Sequence, residues 1–536
     1  MAEKKGNTEM EIYIFLFCVV CYLASAVFAF MRQAHMFQLN SYGAGTHVKW
    51  MLKNPGSLIG NLFALLFCAC AFYGDAYAKI TGLASYVLHG IFALAFLALI
   101  MLEKPKKKAK TPLVYTARVK RLMVTYLVFA VIVAFLAYFL PVKGIWGYSY
   151  VLLFGWYFVS PILLFVANLV NAPAEAMVRS HYLNDAKKIL RSCPDLKIVG
   201  ITGSYGKTSM KFFLTTILKE KYNVLMTPKN YNTPMGVTIT VRGYLRGFHE
   251  IFVCEMGAKK KGEIKELCDI VHPHTGIVTS IGPQHLESFK SMENIISTKM
   301  ALADNLNGGK AFLNIDNEYI EKEKREGAVT YGTKEGADFK GRVISVSKKG
   351  TRFAVAYPDG SEYEFETRLL GEHNVVNLCG AVAMADSFGL TPEEIGNGIS
   401  KIVGVPHRLE LIDKGSYTVI DDAYNSNPAG AKAALDVLSG FEDYKILVTP
   451  GMVELGQQEE ELNCEFGRQA ADVCDFVILV GEKRAVPLKK GLLDKNYPEE
   501  KIYVAKDIGD AMNKVNSLAT DKKKIVLLEN DLPDNY

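Results

Sequence analysis

The chain of 536 residues has no cysteine framework. Its ten cysteines are scattered, and the two close pairs, Cys18/Cys21 and Cys68/Cys70, fall inside apolar runs where thiols pack as small hydrophobes. That argues against a disulfide scaffold or a zinc cluster, and it fits a reducing compartment for the polar part. Internal repeats and low-complexity tracts are absent, which removes solenoids and disordered tails from consideration. No small-residue cleavage site follows the first apolar stretch, so that stretch reads as an anchor rather than a secretory signal. What the chain has in quantity is apolar residues. They make up 50% of the sequence and are concentrated before position 171. The length suggests three or four domains.

Glu11–Met31 supplies about twenty residues without an internal charge, enough to cross a hydrocarbon layer of ~30 Å as a helix. Ser57–Tyr73, Leu83–Leu102, Leu122–Val142 and Ser149–Val170 are further candidate spans, the last with Pro161 inside it and with Trp146, Tyr148 and Tyr150 at its edge. Five spans is the expected count, with four or six as alternatives. The segment between the third and fourth spans carries Lys104, Lys106, Lys107, Lys108, Lys110, Arg118, Lys120 and Arg121, and the first loop carries Arg32, Lys49 and Lys53. The excess of basic residues puts these loops, and with an odd span count everything after Asn171, in the cytoplasm. Set between membrane spans, the basic loop suits lipid headgroups better than nucleic acid. A juxtamembrane helix is expected over Pro173–Arg191.

From there the pattern becomes α/β. Lys197–Thr202, Glu250–Glu255, Thr275–Ser280 and Ala311–Ile315 read as strands separated by helical patterns, the mark of a parallel sheet covered on both faces. Short alternating strands over Val329–Thr367 read as a small β insertion, and a helix is expected over Asn374–Phe388. A second α/β pattern follows Pro406, with strands at Tyr417–Asp421, Lys445–Thr449, Phe476–Val480, Ile502–Ala505 and Ile525–Leu528. The expected organisation is therefore a transmembrane helical region over residues 1–171, a central parallel-sheet domain over 172–405 and a Rossmann-like C-terminal domain over 406–536.

The central domain opens with a strand that breaks into Gly203-Ser204-Tyr205-Gly206-Lys207-Thr208-Ser209 and then a helix. Glycines let backbone N–H groups close on an anion, and the helix N-terminus adds favourable partial charge. Lys207 would reach the terminal phosphates of ATP, and the Thr208 hydroxyl would ligate Mg²⁺. The first glycine of the longer phosphate-loop pattern is replaced by Ile201. Glu255 ends a neighbouring strand and His285 follows another strand end. A carboxylate, an imidazole and a hydroxyl make a mixed set for Mg²⁺. Taken singly, Glu255 could be a solvated loop carboxylate, His285 a loop histidine and Lys299 a surface lysine.

The full series of segments resembles the Mur ligase family, ATP-dependent amide-forming enzymes of peptidoglycan synthesis. The likeness runs from about Pro173 to the C-terminus. It is carried by GSYGKTS, the NYN of Asn230–Asn232 with Gly236, Glu255–Ala258, His285, Lys299, Asn314–Asn317, GEHNVVN at Gly371–Asn377, PHRLE at Pro406–Glu410, DDAYNSNP at Asp421–Pro428 and GMVELG at Gly451–Gly456. The resemblance implies that Thr208 and Glu255 hold one Mg²⁺ and His285 a second, and that Lys299 is carbamylated and serves the metals through oxygen. It implies Asn317, His373 and Asn374 beside the nucleotide base, Arg408 on the γ-phosphate and Asp422 on the ribose. The substrates it implies are a muramoyl-peptide carboxylate and an amine of the amino-acid or dipeptide kind, D-alanyl-D-alanine-like, joined through an acyl phosphate. Three departures accompany it. Apolar spans stand where the family has a domain for the UDP-sugar, Ala301 stands where a glutamate is common, and Leu528-Glu529-Asn530-Asp531 replaces an expected Lys-Gly-Ser. Another ligase built on the same ATP core, of the poly-γ-glutamate type, is the alternative within enzymes. A transporter driven by a phosphate-loop ATPase lacks support, because no LSGGQ-like segment occurs. A non-catalytic protein that kept the fold is at odds with the joint presence of Lys207, Glu255, His285, Lys299, Arg408 and Asp422.

Overall fold

The computed structural model describes residues 2–53, 83–102, 112–139, 147–347, 350–369, 371–404, 407–423, 427–453 and 455–530. The chain divides into two compact units, Met1–Arg179 with Leu532–Tyr536, and Ser180–Asp531.

The first unit is helical: α1 (Ala2–Leu39), α2 (Ala44–Lys53), α3 (Leu83–Leu102), α4 (Ala117–Phe139) and α5 (Gly147–Arg191), the last continuing into the second unit. Among the described residues, three helical stretches are long and apolar enough to cross a membrane: Ile12–Leu39, Ala117–Phe139 and Ser160–Arg191. The expected span at Ser57–Tyr73, the basic residues Lys104–Lys110 and Trp146 lie outside the described residues. Small residues such as Ala26, Ala29, Ala130 and Ala137 are fully packed in this unit, as close approach of apolar helices requires. The Tyr22 hydroxyl donates to the Ala130 carbonyl at 3.1 Å, and Arg121 forms a two-pronged bond with Glu175 at 2.7 and 2.9 Å. One expectation is corrected. In place of a span and a separate juxtamembrane helix there is a single 45-residue helix containing Pro161 and Pro173. Proline removes one backbone donor without ending a helix whose flanking turns and neighbours hold it.

The second unit contains two sheets. The first is built from β1 (Lys197–Thr202), β2 (Val224–Met226), β3 (Ile251–Glu255), β4 (Thr275–Val278), β5 (Ala311–Asn314), β6 (Val329–Gly332), β7 (Phe339–Ser347), β8 (Gly350–Ala356) and β9 (Glu362–Thr367). Its helices are α6 (Lys207–Leu218), α7 (Pro234–Tyr244), α8 (Glu263–Val271), α9 (Leu286–Phe289), α10 (Met292–Met300), α11 (Glu318–Lys322), α12 (Glu372–Ser387) and α13 (Pro392–Ser400). The strand order is β2-β3-β1-β4-β5-β6-β7-β8-β9. Pairing is parallel as far as β7 and antiparallel from β7 to β9. The segment read as a separate β insertion is thus the far edge of the main sheet. The chain leaves β1 in one direction and returns past it to β4, so the crevice at their carboxyl ends is the topological switch point where ligands of such sheets bind.

The C-terminal sheet comprises β10 (Glu410–Asp413), β11 (Tyr417–Asp422), β12 (Tyr444–Thr449), β13 (Phe476–Val480), β14 (Ile502–Ala505) and β15 (Lys524–Glu529). They run in the order β10-β11-β15-β12-β13-β14, with β10 alone antiparallel to its neighbour. Helices α14 (Pro428–Ser439), α15 (Glu459–Ala471), α16 (Glu482–Asp494) and α17 (Ile508–Ser517) cover it. β2 and β10 were not foreseen.

β1 sits between two cores because its alternate residues are apolar on both faces. Val199 and Ile201 pack with α6, α12 and α13, and Ile198 packs on the opposite side. The first of these cores depends on a close helix crossing. A Cβ at Gly398 of α13 would stand 2.6 Å from the Ile217 Cα of α6, so the helices meet backbone to backbone. Gly398→Val is therefore expected to destabilise the protein by about 1–3 kcal/mol through overpacking. The thermal midpoint of the purified full chain measures this, and an unchanged midpoint would mean that α6 and α13 separate without cost.

Candidate active site

The phosphate loop is braced before any ligand enters. Gly206 takes a left-handed backbone, φ 78°, and starts α6, whose first N–H groups receive no side-chain cap. Open N–H groups at a helix start are an anion site. Ser204 and Tyr205 are tied to the segment after β4. The Ser204 amide donates to the Ser280 carbonyl at 2.6 Å, the Ser204 hydroxyl donates to the Gly282 carbonyl at 3.0 Å, and the Thr279 hydroxyl donates to the Tyr205 carbonyl at 2.5 Å. Lys207 folds back over the loop, donating to the Gly203 and Ser204 carbonyls at 2.6 and 2.9 Å. Burial lowers its pKa to about 8, with Arg408 acting in the same direction and Glu255 opposing.

Beside the loop, the Thr208 hydroxyl lies 3.3 Å from both carboxyl oxygens of Glu255. Glu255 is 1% exposed, so it is no solvated loop carboxylate. Burial works against its charge, but Lys211 at 2.9 Å and the Asn232 amide at 3.0 Å hold its pKa below the usual range. Lys211, on the inner face of α6, also donates to the Lys229 carbonyl at 2.5 Å. Lys299 on α10 is 2% exposed rather than superficial. Burial and the nearby Lys207 charge push its pKa well below that of a free amine, against a weaker pull from Glu263. His285 takes a left-handed backbone, φ 55°, immediately before α9.

A cavity of about 530 Å³ opens from this loop toward the C-terminal sheet. The central domain contributes Tyr205, Gly206, Ser209, Asn317 and Asn374, and the C-terminal domain contributes Arg408, Asp422 and Asn427. Asn317 is fixed by donating to the Ile281 carbonyl at 2.9 Å, and Asp422 accepts from the Leu409 amide at 3.2 Å. His407, next to Arg408, takes φ 61° and bonds through Nδ1 to Asp421 at 2.8 Å, which anchors the segment that carries the arginine. The side chain of His373 lies outside the described residues. Most of the residues singled out in the sequence thus gather around one crevice: the loop Gly203–Ser209, Asn317, Asn374, Arg408 and Asp422 about the cavity, and Glu255 and Lys299 tied to it through Thr208 and Lys207.

Lys211 was missed, and Asn232, singled out only as part of the NYN motif, was given no role. Lys211 had a signal, a charge one turn after Lys207 on a helix face otherwise made of Met210, Phe213 and Leu214. The oxygen-rich pair Thr208 and Glu255 fits a hard cation such as Mg²⁺. The expected cost of Lys211→Met is about 3–5 kcal/mol, since it leaves the Glu255 charge buried without its cation. Glu255 is held below its unfolded pKa, so this contribution is present above the ordinary carboxylate range and vanishes as pH falls through the folded value. Unfolding titrations at neutral and acid pH should show the deficit shrinking in acid, and adding Glu255→Leu should recover part of it. A deficit independent of pH would rule out the ion pair as its cause.

Both domains of this unit have counterparts in known proteins. A family profile described as Mur ligase middle domain matches residues 201–385, and one described as Mur ligase, glutamate ligase domain matches residues 407–529. The chain is 33% identical over 311 residues to UDP-N-acetylmuramoyl-tripeptide--D-alanyl-D-alanine ligase of Bacillus subtilis, covering 57% of this chain and 67% of that one. The crystal structure of MurF from Acinetobacter baumannii superposes with a TM-score of 0.61 at 27% identity, over 66% of this chain and 77% of that one. MurF ligase from Thermotoga maritima in complex with ADP superposes with a TM-score of 0.59 at 25% identity, over 66% and 80% of the two chains. With both domain profiles matched along the second unit and a relative 33% identical over two thirds of its length, the chain belongs to the Mur ligase family, the ATP-dependent ligases of peptidoglycan synthesis.

Proposed function

We propose that this protein is a membrane-anchored ligase that joins a muramoyl-peptide carboxylate to a D-alanyl-D-alanine-like amine at the expense of ATP. The observation that carries this reading is the cavity shared by the phosphate loop and by Arg408 and Asp422 of the other domain, with Glu255 and Lys299 buried behind the loop. The names of the relatives support the choice of amine and acceptor.

In this reading the open N–H groups of α6 and Lys207 take the β- and γ-phosphates, Asn317 and Asn374 border the base, and Asp422 accepts from the ribose. Thr208 and Glu255 would hold one Mg²⁺ and His285 a second, and such ions would supply charge to offset the phosphates. Lys299 is kept as a neutral amine by burial and by Lys207. That is the form that adds CO₂, giving up a proton as its N–C bond forms, and the resulting carbamate is an oxygen donor where an ammonium would repel cations. Arg408 steadies the γ-phosphate while a peptide carboxylate oxygen attacks it and ADP leaves. The amine then attacks the acyl carbon, phosphate departs, and the nitrogen loses a proton. Closure of the cleft keeps water from the acyl phosphate. Positioning and charge neutralisation supply most of the acceleration.

Apolar helices tied to the active unit favour an acceptor confined to the bilayer surface, because confinement raises effective concentration by roughly 10²–10⁴-fold. The reading is tested by supplying the full chain with ATP, D-alanyl-D-alanine and either a UDP-linked or a lipid-linked muropeptide, then weighing the product. Ligation is expected with the lipid-linked form preferred. Lys207→Ala should lose at least about 10³-fold in turnover, and Lys299→Ala should be inactive but partly restored by acetate. ADP release without a peptide product from either acceptor would refute the ligase assignment.

The basic segment and the ATP site must share one side of the membrane. Reporters placed at Lys106–Lys110 and after Tyr536 should both respond as cytoplasmic, and an external C-terminal reporter would exclude an ATP-using enzyme.

A further inference from the structure

The last strand of the C-terminal sheet ends in a charge that the reaction outlined above does not use. On β15, Ile525 and Leu527 point into the core beneath α14 and α15, and two-residue alternation puts Glu529 on that same face. An apolar residue would complete the pattern. Glu529 is instead fully buried, and no amide or hydroxyl of the described residues donates to either of its oxygens. What it meets is another acid. Asp422 is its direct partner in the parallel register of β11 and β15, so the two acidic side chains leave neighbouring strands on the same face of the sheet.

Two carboxylates side by side in a dry site cannot both ionise, and a bond between them needs one shared proton. Of the pair, Asp422 is the one on the cavity wall and already accepts from the Leu409 amide through Oδ1. Glu529 lies behind it, which makes Glu529 the proton carrier. Burial and Asp422 drive its pKa well above the carboxylate range, and Arg408 is the cation that opposes them. Among the described residues, the surrounding strand ends add no further charge to this face. β12 ends in Thr449, α14 is preceded by Asn427, and Asp421 on the opposite face of β11 is engaged by His407.

We propose that Glu529 is a positioning residue: protonated, it donates to the Asp422 carboxylate and fixes it as the acceptor for a ribose hydroxyl of the nucleotide. This rests on the reading that Asp422 meets the ribose. It also gives a role to a residue at the place where the expected Lys-Gly-Ser is missing.

The test compares binding of Mg-ADP with Mg-2′-deoxy-ADP and Mg-3′-deoxy-ADP by calorimetry, using the full chain in detergent micelles. Wild type should bind ADP about tenfold more tightly than one of the deoxy analogues, the worth of one hydrogen bond to a charged acceptor. Glu529→Gln keeps a neutral donor and should retain that ratio. Glu529→Leu and the unbranched Glu529→Met fill the space without a donor and should bring the ratio below about twofold, while affinity for the deoxy analogue itself stays near wild type. A merely structural role would weaken all three nucleotides together or none of them. An unchanged ratio in whichever apolar variant folds overturns the proposal, as does a ratio lost equally in Glu529→Gln. A wild-type protein that does not distinguish ADP from either analogue, with Asp422→Asn equally indifferent, overturns the ribose reading itself and is recognisably a different failure.

Discussion

Three lysines and one glutamate share a nearly water-free interior behind the phosphate loop, and the active unit is arranged around that imbalance. Lys211 and Glu255 neutralise each other at 2.9 Å. Lys207 bonds to loop carbonyls with Glu255 favouring its charge, and Lys299 lies by an aromatic ring with Lys207 repelling its charge and Glu263 drawing it more weakly. Buried cations without counterions are costly, and the structure meets the cost by lowering the pKa of both amines. A polyanion entering the crevice relieves the same stress. With Lys299 kept neutral and Lys211 paired to Glu255, Lys207 is the cation of the loop left to meet an entering polyanion, and its place is set before one arrives.

That imbalance is sustained by backbone architecture. β1 and β4 end side by side at the sheet's switch point, and bonds from Ser204, Thr279 and Ser280 lock the loop after one strand to the segment after the other. The loop's N–H groups are therefore aimed before a ligand arrives. Glu255 emerges from β3, directly in register with Ile201, so the acid and the loop are held by adjacent strands rather than by flexible connections.

Much of this was legible in the sequence because it is local. A strand, a glycine turn and a helix follow one another within thirteen residues, and each carries its own signal. Burial was not legible: Lys299 and Glu255 each had an innocuous surface reading until the fold enclosed them. Lys211 and Asn232 were passed over because their importance lies in a contact with Glu255 across more than twenty residues of chain. The helix through Pro161 and Pro173 was divided in two because its apolar run ends near Val170 and a polar stretch begins at Pro173, a change of composition that the backbone ignores. Glu529 showed itself only as a departure from an expected motif, and its partner became visible only through the register of β11 and β15.

The cleft is divided between residues on either side of the short connection from Lys401 to His407, with Tyr205, Asn317 and Asn374 before it and Arg408 and Asp422 after it. A nucleotide in such a cleft acts as mortar between two bricks. Part of its intrinsic binding energy goes into holding the domains in register, so apparent affinity falls below intrinsic affinity by the fraction of time the empty protein spends assembled. The balance between assembled and separated domains thereby becomes a determinant of how much ATP the enzyme needs.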